Sequence, residues 1–378
     1  MFDYAERRRR LAEEMLRDGA DVLFLGLSSD LEYLSGVERG IPFFGQSSYA
    51  HGWVAGGFFR PDKHPVFVFP RMVVAFDLPV RPEGEIVVVD ETEDGVAVFE
   101  RVARGLGVGT GDVAVGDRVW AETTIRLGRI FGADRLRTGS QLVNRLRRVK
   151  ATDELETMAR AARAAERAIE AVTPHVQPGV TMAELAEEVE LQLRHAGSRT
   201  PSFPTHVFAE TSAGRLDNHL ATAREPLPDG TAVLFDFGGV VDGYCSDFGR
   251  TVVAGEPSRT FREAYDVMLA AYEAGRAACR PGALARDVNA ACRGPIEEAG
   301  LGASFRHRMG HGIGLDVHER PFLSEEDDTV LEAGMTFTDE PSLIVAGSYG
   351  LRIENIVVCE DGGARVLNGY PNELVCNG

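Results

Sequence analysis

Four acidic residues in this chain sit where acids are costly. Residues 231–253 read TAVLFDFGGVVDGYCSDFGRTVV, two apolar, β-branched runs around Gly238-Gly239 and Asp242-Gly243, which is a hairpin signal. Asp236 lies in the first run and Asp247 in the second. Glu340 sits in MTFTDEP and Glu354 in LRIENIVV, again one acid inside each of two apolar runs. An isolated carboxylate is expensive to desolvate, so an ionised acid inside a hydrophobic strand needs a partner. Singly, each could be a turn residue or half of a salt bridge. Together they outnumber the cations beside them, because Arg250 and Arg352 could neutralise only two. Between the acids lies HRMGHGIGLDVHE, with His307, His311 and His318 inside twelve positions among glycines. Carboxylates and imidazoles are hard or borderline ligands that suit Mn²⁺, Co²⁺, Fe²⁺ or Zn²⁺, and the lack of Cys in the set argues against a structural zinc site. Four carboxylates and one imidazole are enough for two cations about 3.5–4 Å apart sharing a bridging hydroxide.

The elements that must position these residues come in a repeat. A helix near 154–172 is followed by Pro178-Gly179, a helix with a Thr181…Glu184 capping box, and Gly197. A helix near 260–279 is followed by Pro281-Gly282, another helix, and Gly300. Both Pro-to-Gly spans are 19 residues, offset by 103. Each unit leads to a strand pair, 230–253 and 334–358, and Gly230/Gly334 and Asp236/Glu340 are each 104 apart. The pattern predicts a duplication that places a carboxylate at equivalent points of two helix–helix–hairpin units.

The residues before this repeat differ in character. An amphipathic helix over 3–18, strands at 21–27, 65–70, 85–89 and 113–115, and helices near 94–105 and 139–148 predict an α/β layer domain. The Arg run at 7–10 reads as a solvated helix face. Residues 36–59, rich in Gly, Phe and Ser, read as a long loop or an irregular strand pair. Thr152 and Asp153, with Glu156 three residues after Asp153, form a helix-start signature that opens the second part. The expected domains are 1–148 and 149–378.

The chain has 378 residues, 44% hydrophobic and 26% charged, with 58 acidic against 40 basic side chains. That composition is globular, and the net charge of −18 excludes a general binder of phosphate backbones, leaving no nucleic-acid partner expected. The N-terminus has no apolar signal region, and no run is long enough to span a membrane. Five cysteines, odd in number and without a CxxC pair, read as reduced thiols of a cytoplasmic protein. Lys63 and Lys150 are the only lysines, which reads as a bias toward arginine codons with no functional meaning.

From about residue 150 to 370 the sequence resembles the pita-bread metallopeptidases, which include methionine aminopeptidase, aminopeptidase P, prolidase and creatinase. The resemblance rests on LFDFGG, SDFGRT, MGHGIGLDVHE, FTDEPS and LRIEN in that order. The phrases DLEYLSGV (30–37) and LRRVKATDELE resemble the extra N-terminal domain of the aminopeptidase P, prolidase and creatinase group and its junction. The implied fold is a creatinase-like α/β N-terminal domain followed by an α+β pita-bread catalytic domain with internal pseudo-two-fold symmetry. The resemblance implies that Asp236 chelates one metal, that His311 and Glu340 belong to the other, and that Asp247 and Glu354 bridge them. It also implies that Glu340 helps deprotonate the water and that His219 and His318 serve the substrate nitrogen and proton transfer. His307 would line the substrate pocket, and Arg352 would organise the site or a substrate carboxylate. His206 matches no role and reads as a loop or pocket-wall residue.

The function implied is an exopeptidase, with two divalent cations (Mn²⁺, or Co²⁺, Zn²⁺ or Fe²⁺), hydrolysing Xaa-Pro peptides through a metal-bridging hydroxide, as a homodimer. The family's Glu-Pro-Gly-x-Tyr is here Glu340-Pro341-Ser342-Leu343-Ile344, and Asp339 replaces an apolar or small residue. These departures keep open a small non-peptide substrate, as for an ectoine-type amidohydrolase or a sulfonium lyase. A non-catalytic binding module is the third alternative.

Overall fold

The computed structural model describes residues 2–40, 49–210, 216–217, 224–345 and 348–377. The chain divides into two compact units, Met1–Arg147 and Arg148–Gly378.

In the first unit the β-branched runs do become strands. β1 (Ala20–Gly26), β2 (Gly56–Arg60), β3 (Lys63–Pro70), β4 (Glu85–Val89), β5 (Asp112–Val115) and β6 (Leu136–Thr138) form a mixed sheet in the order β4-β3-β2-β1-β5-β6. Among the described residues five α-helices accompany it: α1 (Tyr4–Asp18), α2 (Ser29–Ser35), α3 (Gly95–Gly105), α4 (Ala121–Phe131) and α5 (Ser140–Arg147). β2 supplies the regular part of 36–59, pairing with both β1 and β3, while residues 41–48 lie outside the described residues. Phe24, Phe58 and Phe99 meet in the core at centroid distances of 4.7–5.7 Å. Arg9 keeps the expected solvated face, paired with Glu6 and Glu13, and Arg7 corrects it. Arg7 is buried, donates to the Tyr33 carbonyl at 3.0 Å and stacks 4.0 Å from the Tyr33 ring.

The second unit carries the repeat. α6 (Thr152–Val172) and α7 (Met182–His195) precede β7 (His206–Glu210), β8 (Leu216–Asp217), β9 (Thr231–Phe237), β10 (Val240–Val241), β11 (Tyr244–Cys245) and β12 (Phe248–Ala254). α8 (Arg259–Ala278) and α9 (Ala285–Glu298) precede β13 (Gly310–Gly312), β14 (Glu319–Leu323), β15 (Thr336–Asp339), β16 (Ser342–Val345) and β17 (Tyr349–Val358), then the short β18 (Arg365–Val366) and β19 (Val375–Asn377). The equivalence reaches single hydrogen bonds. Gly179 N–H bonds Leu227 and Gly282 N–H bonds Leu331, at 2.8 and 2.9 Å, and both Leu N–H groups return to the residue after the glycine at 2.8 Å. Both glycines have positive φ, +95° and +85°, the left-handed region open to glycine at little cost. The main sheet runs β14-β13-β15-β17-β12-β9-β7-β8 and curls under the four helices, so the duplicated pita-bread architecture is what the sequence resemblance implies.

The α6 start differs from its signature. The helix opens at Thr152, and Glu154 rather than Glu156 reaches back, accepting the Ala151 N–H at 2.9 Å. Its other oxygen accepts the Tyr244 hydroxyl at 2.6 Å, a tertiary contact that fixes which glutamate caps. Among the described residues no helix is long and apolar enough to cross a membrane. None of the five cysteines is in a disulfide.

Arg250 was a candidate counter-ion to the acids, and the structure assigns it elsewhere. Its guanidinium is fully buried and donates to the carbonyls of Gly249, Glu354, Tyr370 and Pro371 and to the side chains of Asn355 and Asn372, at 2.7–3.2 Å. A rigid fork of five donors suits backbone carbonyls as well as carboxylates. Arg250 thus fastens β12 to β17 and to the C-terminal segment. Arg250→Met leaves several buried acceptors unpaired at about 1–3 kcal/mol each. Urea unfolding should show a loss of about 3 kcal/mol or more; a loss below about 1 kcal/mol would contradict this locking role.

Candidate metal centre

The sheet order brings the acids together. β13, β15, β17, β12 and β9 are consecutive neighbours, and His311 lies in β13, Glu340 one residue past β15, Glu354 in β17, Asp247 one residue before β12, and Asp236 in β9. The close strand spacing depends on small residues. A Cβ on Gly310 would stand 1.9 Å from the Thr338 carbonyl oxygen, so β13 reaches β15 only as glycine.

Ligand atoms of Asp247, His311 and Glu354 lie within 4.8 Å of one another, and all three residues are buried. His311 Nε2 is 3.4 Å from Asp247 Oδ2 and 3.6 Å from Glu340 Oε1. His311 Nδ1 lies 3.0 Å from the Gly312 carbonyl, which only accepts, so the proton of the neutral ring belongs on Nδ1 and the Nε2 lone pair faces the acids. Asp236 joins through Arg352, whose Nη1 is 2.6 Å from Asp236 Oδ2, 3.3 Å from Glu354 Oε2 and 3.6 Å from Glu340 Oε2.

Burial and mutual repulsion set the electrostatics. Burial raises Asp236 to about 7, opposed by Arg352 and assisted by Asp247 and Glu340. Burial, with Asp247 and Glu340, pushes Glu354 well above the carboxylate range. Burial opposes ionisation of Glu340 too, but His311, Arg352, His307 and Arg308 hold it below its ordinary value. Burial lowers His311, and Glu340 and Asp247 more than reverse this. Asp247 Oδ1 and Glu354 Oε1 are buried without a hydrogen-bond partner. Unpaired anionic oxygens, an imidazole lone pair and no thiolate make a donor set that fits a divalent cation.

The flanking residues take distinct places. The His318 ring stands 4.2 Å from that of His311 at 55° and keeps an exposed face. Burial, then His311, lowers its pKa. His307 donates from Nδ1 to the Arg308 carbonyl at 2.6 Å, and its Nε2 is buried without a partner. Burial, then Arg352, lowers it as well. His219 lies outside the described residues. His206, without a role in the sequence, lies on β7 in register with Asp236 and stacks against Phe203 and Phe208. The alternation of His206 and Phe208 along a strand was the available signal.

Two of the departures from the family pattern, Ser342 and Asp339, acquire surroundings. Ser342 pairs across the hairpin with Arg352, accepts its Nε at 2.6 Å and donates to the Glu340 carbonyl at 3.2 Å. Asp339 is buried with both carboxylate oxygens unpartnered, and burial raises its pKa far above the usual range.

Comparison with known proteins identifies the family. The family model of metallopeptidase family M24 matches residues 156–361, more than half of the chain. An uncharacterized peptidase of Staphylococcus aureus is 31% identical over 87% of this chain and 91% of its own length. Among solved structures, an Xaa-Pro dipeptidase from Bacillus anthracis is similar at 27% identity and a TM-score of 0.84, covering 99% of this chain and 100% of that one. A prolidase from Thermococcus sibiricus is similar at 26% identity and a TM-score of 0.88, covering 100% of both. With its acids and His311 gathered on the strands of that matched region, the chain belongs to metallopeptidase family M24, as a metallo-exopeptidase on the pita-bread fold.

Proposed function

We propose that this enzyme hydrolyses Xaa-Pro peptides with two divalent cations, held by Asp236, Asp247, His311, Glu340 and Glu354. The observation that carries the reading is the pair of buried oxygens without donors, Asp247 Oδ1 and Glu354 Oε1, beside the His311 lone pair. The similarity of the whole chain, N-terminal unit included, to an Xaa-Pro dipeptidase and a prolidase supports the substrate class. Four carboxylates to one imidazole favour Mn²⁺ over softer-ligand ions. The resemblance assigns Asp236 to one cation, His311 and Glu340 to the other, and Asp247 and Glu354 to both.

When bound, the cations polarise the scissile carbonyl and bring the pKa of water toward neutrality. The protein's own groups then handle position and protons. Glu340, held ionised by its cationic neighbours, takes the proton of the attacking water. His318, neutral at pH 7 through burial and the nearby His311, can take up that proton from Glu340 and pass it to the departing nitrogen. A proline nitrogen has no N–H before cleavage, so it must gain one. His219 would assist at the same nitrogen. His307, whose buried Nε2 has no hydrogen-bond partner, would line the substrate pocket. Arg352, fixed by Ser342, restrains Asp236.

Release of the N-terminal residue from Xaa-Pro and Xaa-Pro-Yaa peptides by Mn²⁺-loaded protein is the expected result. Turnover of neither would redirect the reading to a small non-peptide substrate. Stripping with a chelator should abolish activity, and Mn²⁺ at about 100 times its Kd should add about 2.7 kcal/mol of stability. Metal analysis finding no bound cation after incubation with Mn²⁺, Co²⁺ or Zn²⁺ would leave only a binding module. We also read the enzyme as a cytoplasmic homodimer, and light scattering at the mass of one 41.0 kDa chain would overturn the dimer.

A further inference from the structure

Arginine dominates the 40 basic residues of this chain, and of the two lysines only Lys150 is buried. Codon bias accounts for the arginines but leaves the exception unexplained. Lys150 Nζ lies 3.1 Å from Glu319 Oε2, with both side chains 2% exposed. A buried ion pair contributes little net stability, because desolvation offsets its attraction, so its geometry is the informative part.

Glu319 directly follows His318 and opens β14. Its second carboxylate oxygen accepts the Asp316 N–H at 3.0 Å, and the Asp316 carbonyl accepts the Gly314 N–H at 3.0 Å. From the other half of the repeat, the Cys245 N–H bonds the Gly314 carbonyl at 2.8 Å and its thiol bonds that of Leu315 at 3.2 Å. Lys150 is itself anchored, its N–H donating to the Gly334 carbonyl at 2.9 Å. The turn between β13 and β14 is therefore clamped from both sides. Its packing is close: a Cβ on Gly314 would lie 2.8 and 3.0 Å from the Glu319 oxygens and 3.0 Å from Lys150 Cε. A slender ammonium arm suits such a slot better than a planar guanidinium.

Two groups of the candidate site hang on this turn. The Gly312 carbonyl, which orients His311, lies at one end in register with Glu319, and His318 lies at the other with its ring against His311. We propose that Lys150 and Glu319 are positioning residues, whose ion pair sets this turn and thereby the aim of His311 and the place of His318. The inference rests on the reading above for the roles of those two histidines.

Three variants test it. Lys150→Met/Glu319→Gln removes both charges but keeps an acceptor for the Asp316 N–H. Gly314→Ala keeps both charges and forces the pair apart with one methyl group. Lys150→Arg keeps the charge and changes the shape. Calorimetric Mn²⁺ titration, kcat and KM on an Xaa-Pro dipeptide, and unfolding midpoints are measured for each. The expected result is folded protein with Mn²⁺ affinity or kcat reduced about 10–100-fold, KM little changed, and no rescue by Lys150→Arg. Folded variants with the wild-type Mn²⁺ affinity and kcat would overturn the proposal, and Gly314→Ala decides it if the double variant does not fold. A wild type that binds Mn²⁺ but cleaves no Xaa-Pro peptide would defeat the functional reading alone, because the affinity comparison still tests the positioning.

Discussion

Everything around the site answers one constraint: Asp236, Asp247, Glu340 and Glu354 share a buried volume. At short range in a low dielectric such groups repel each other, and burial alone already disfavours their charges. Arg352 responds with one nitrogen near Asp236, Glu354 and Glu340, and Ser342 fixes that guanidinium from its Nε side. One nitrogen cannot reach every oxygen, and Asp247 Oδ1 and Glu354 Oε1 have no donor. The set is therefore stable as anions only with added positive charge, which is the physical content of a metal-ligating cluster.

β17 is the element through which the constraint is met. It pairs with β15 of its own half and β12 of the other, and it carries both Arg352 and Glu354. Residues two apart on a strand face the same side, so an acid and its counter-ion are placed together by one backbone. Arg250, opposite Ile353 in β12, locks the strand from the neighbouring position without spending its charge on the acids. Duplication thus supplies two equivalent hairpins, and the strand joining them supplies the charge that lets them meet.

The acids were legible because a carboxylate inside an apolar run carries a desolvation cost that demands a partner. Strands β1, β3, β4 and β5 were legible because branched apolar residues pack on a pleated sheet. β2 was hidden by its opening Gly56-Gly57, which bears no pattern, and α4 by the lack of a side-chain cap at Trp120. Arg250 misled because a sequence does not say whether a guanidinium meets carboxylates or carbonyls. The Glu154 cap depended on Tyr244, and Lys150 on Glu319, at separations of 90 and 169 residues. Such contacts belong to the fold and leave no local spacing to read.

The glycine-rich histidine segment shows how spacing becomes chemical difference. His307, His311 and His318 share a composition, yet burial lowers the first and last while Glu340 and Asp247 raise the middle one. The difference arises from direction, because β13 turns His311 toward the acids and the clamped turn brings His318 back over its ring. An imidazole that is neutral near pH 7 can accept or pass a proton, whereas one aimed at carboxylates holds a cation or becomes one. Glycine at 310, 312 and 314 lets the backbone approach its neighbours more closely than a Cβ would allow. On one regular strand His311 and His318, seven residues apart, would face opposite sides, so the meeting of their rings is a property of the turn.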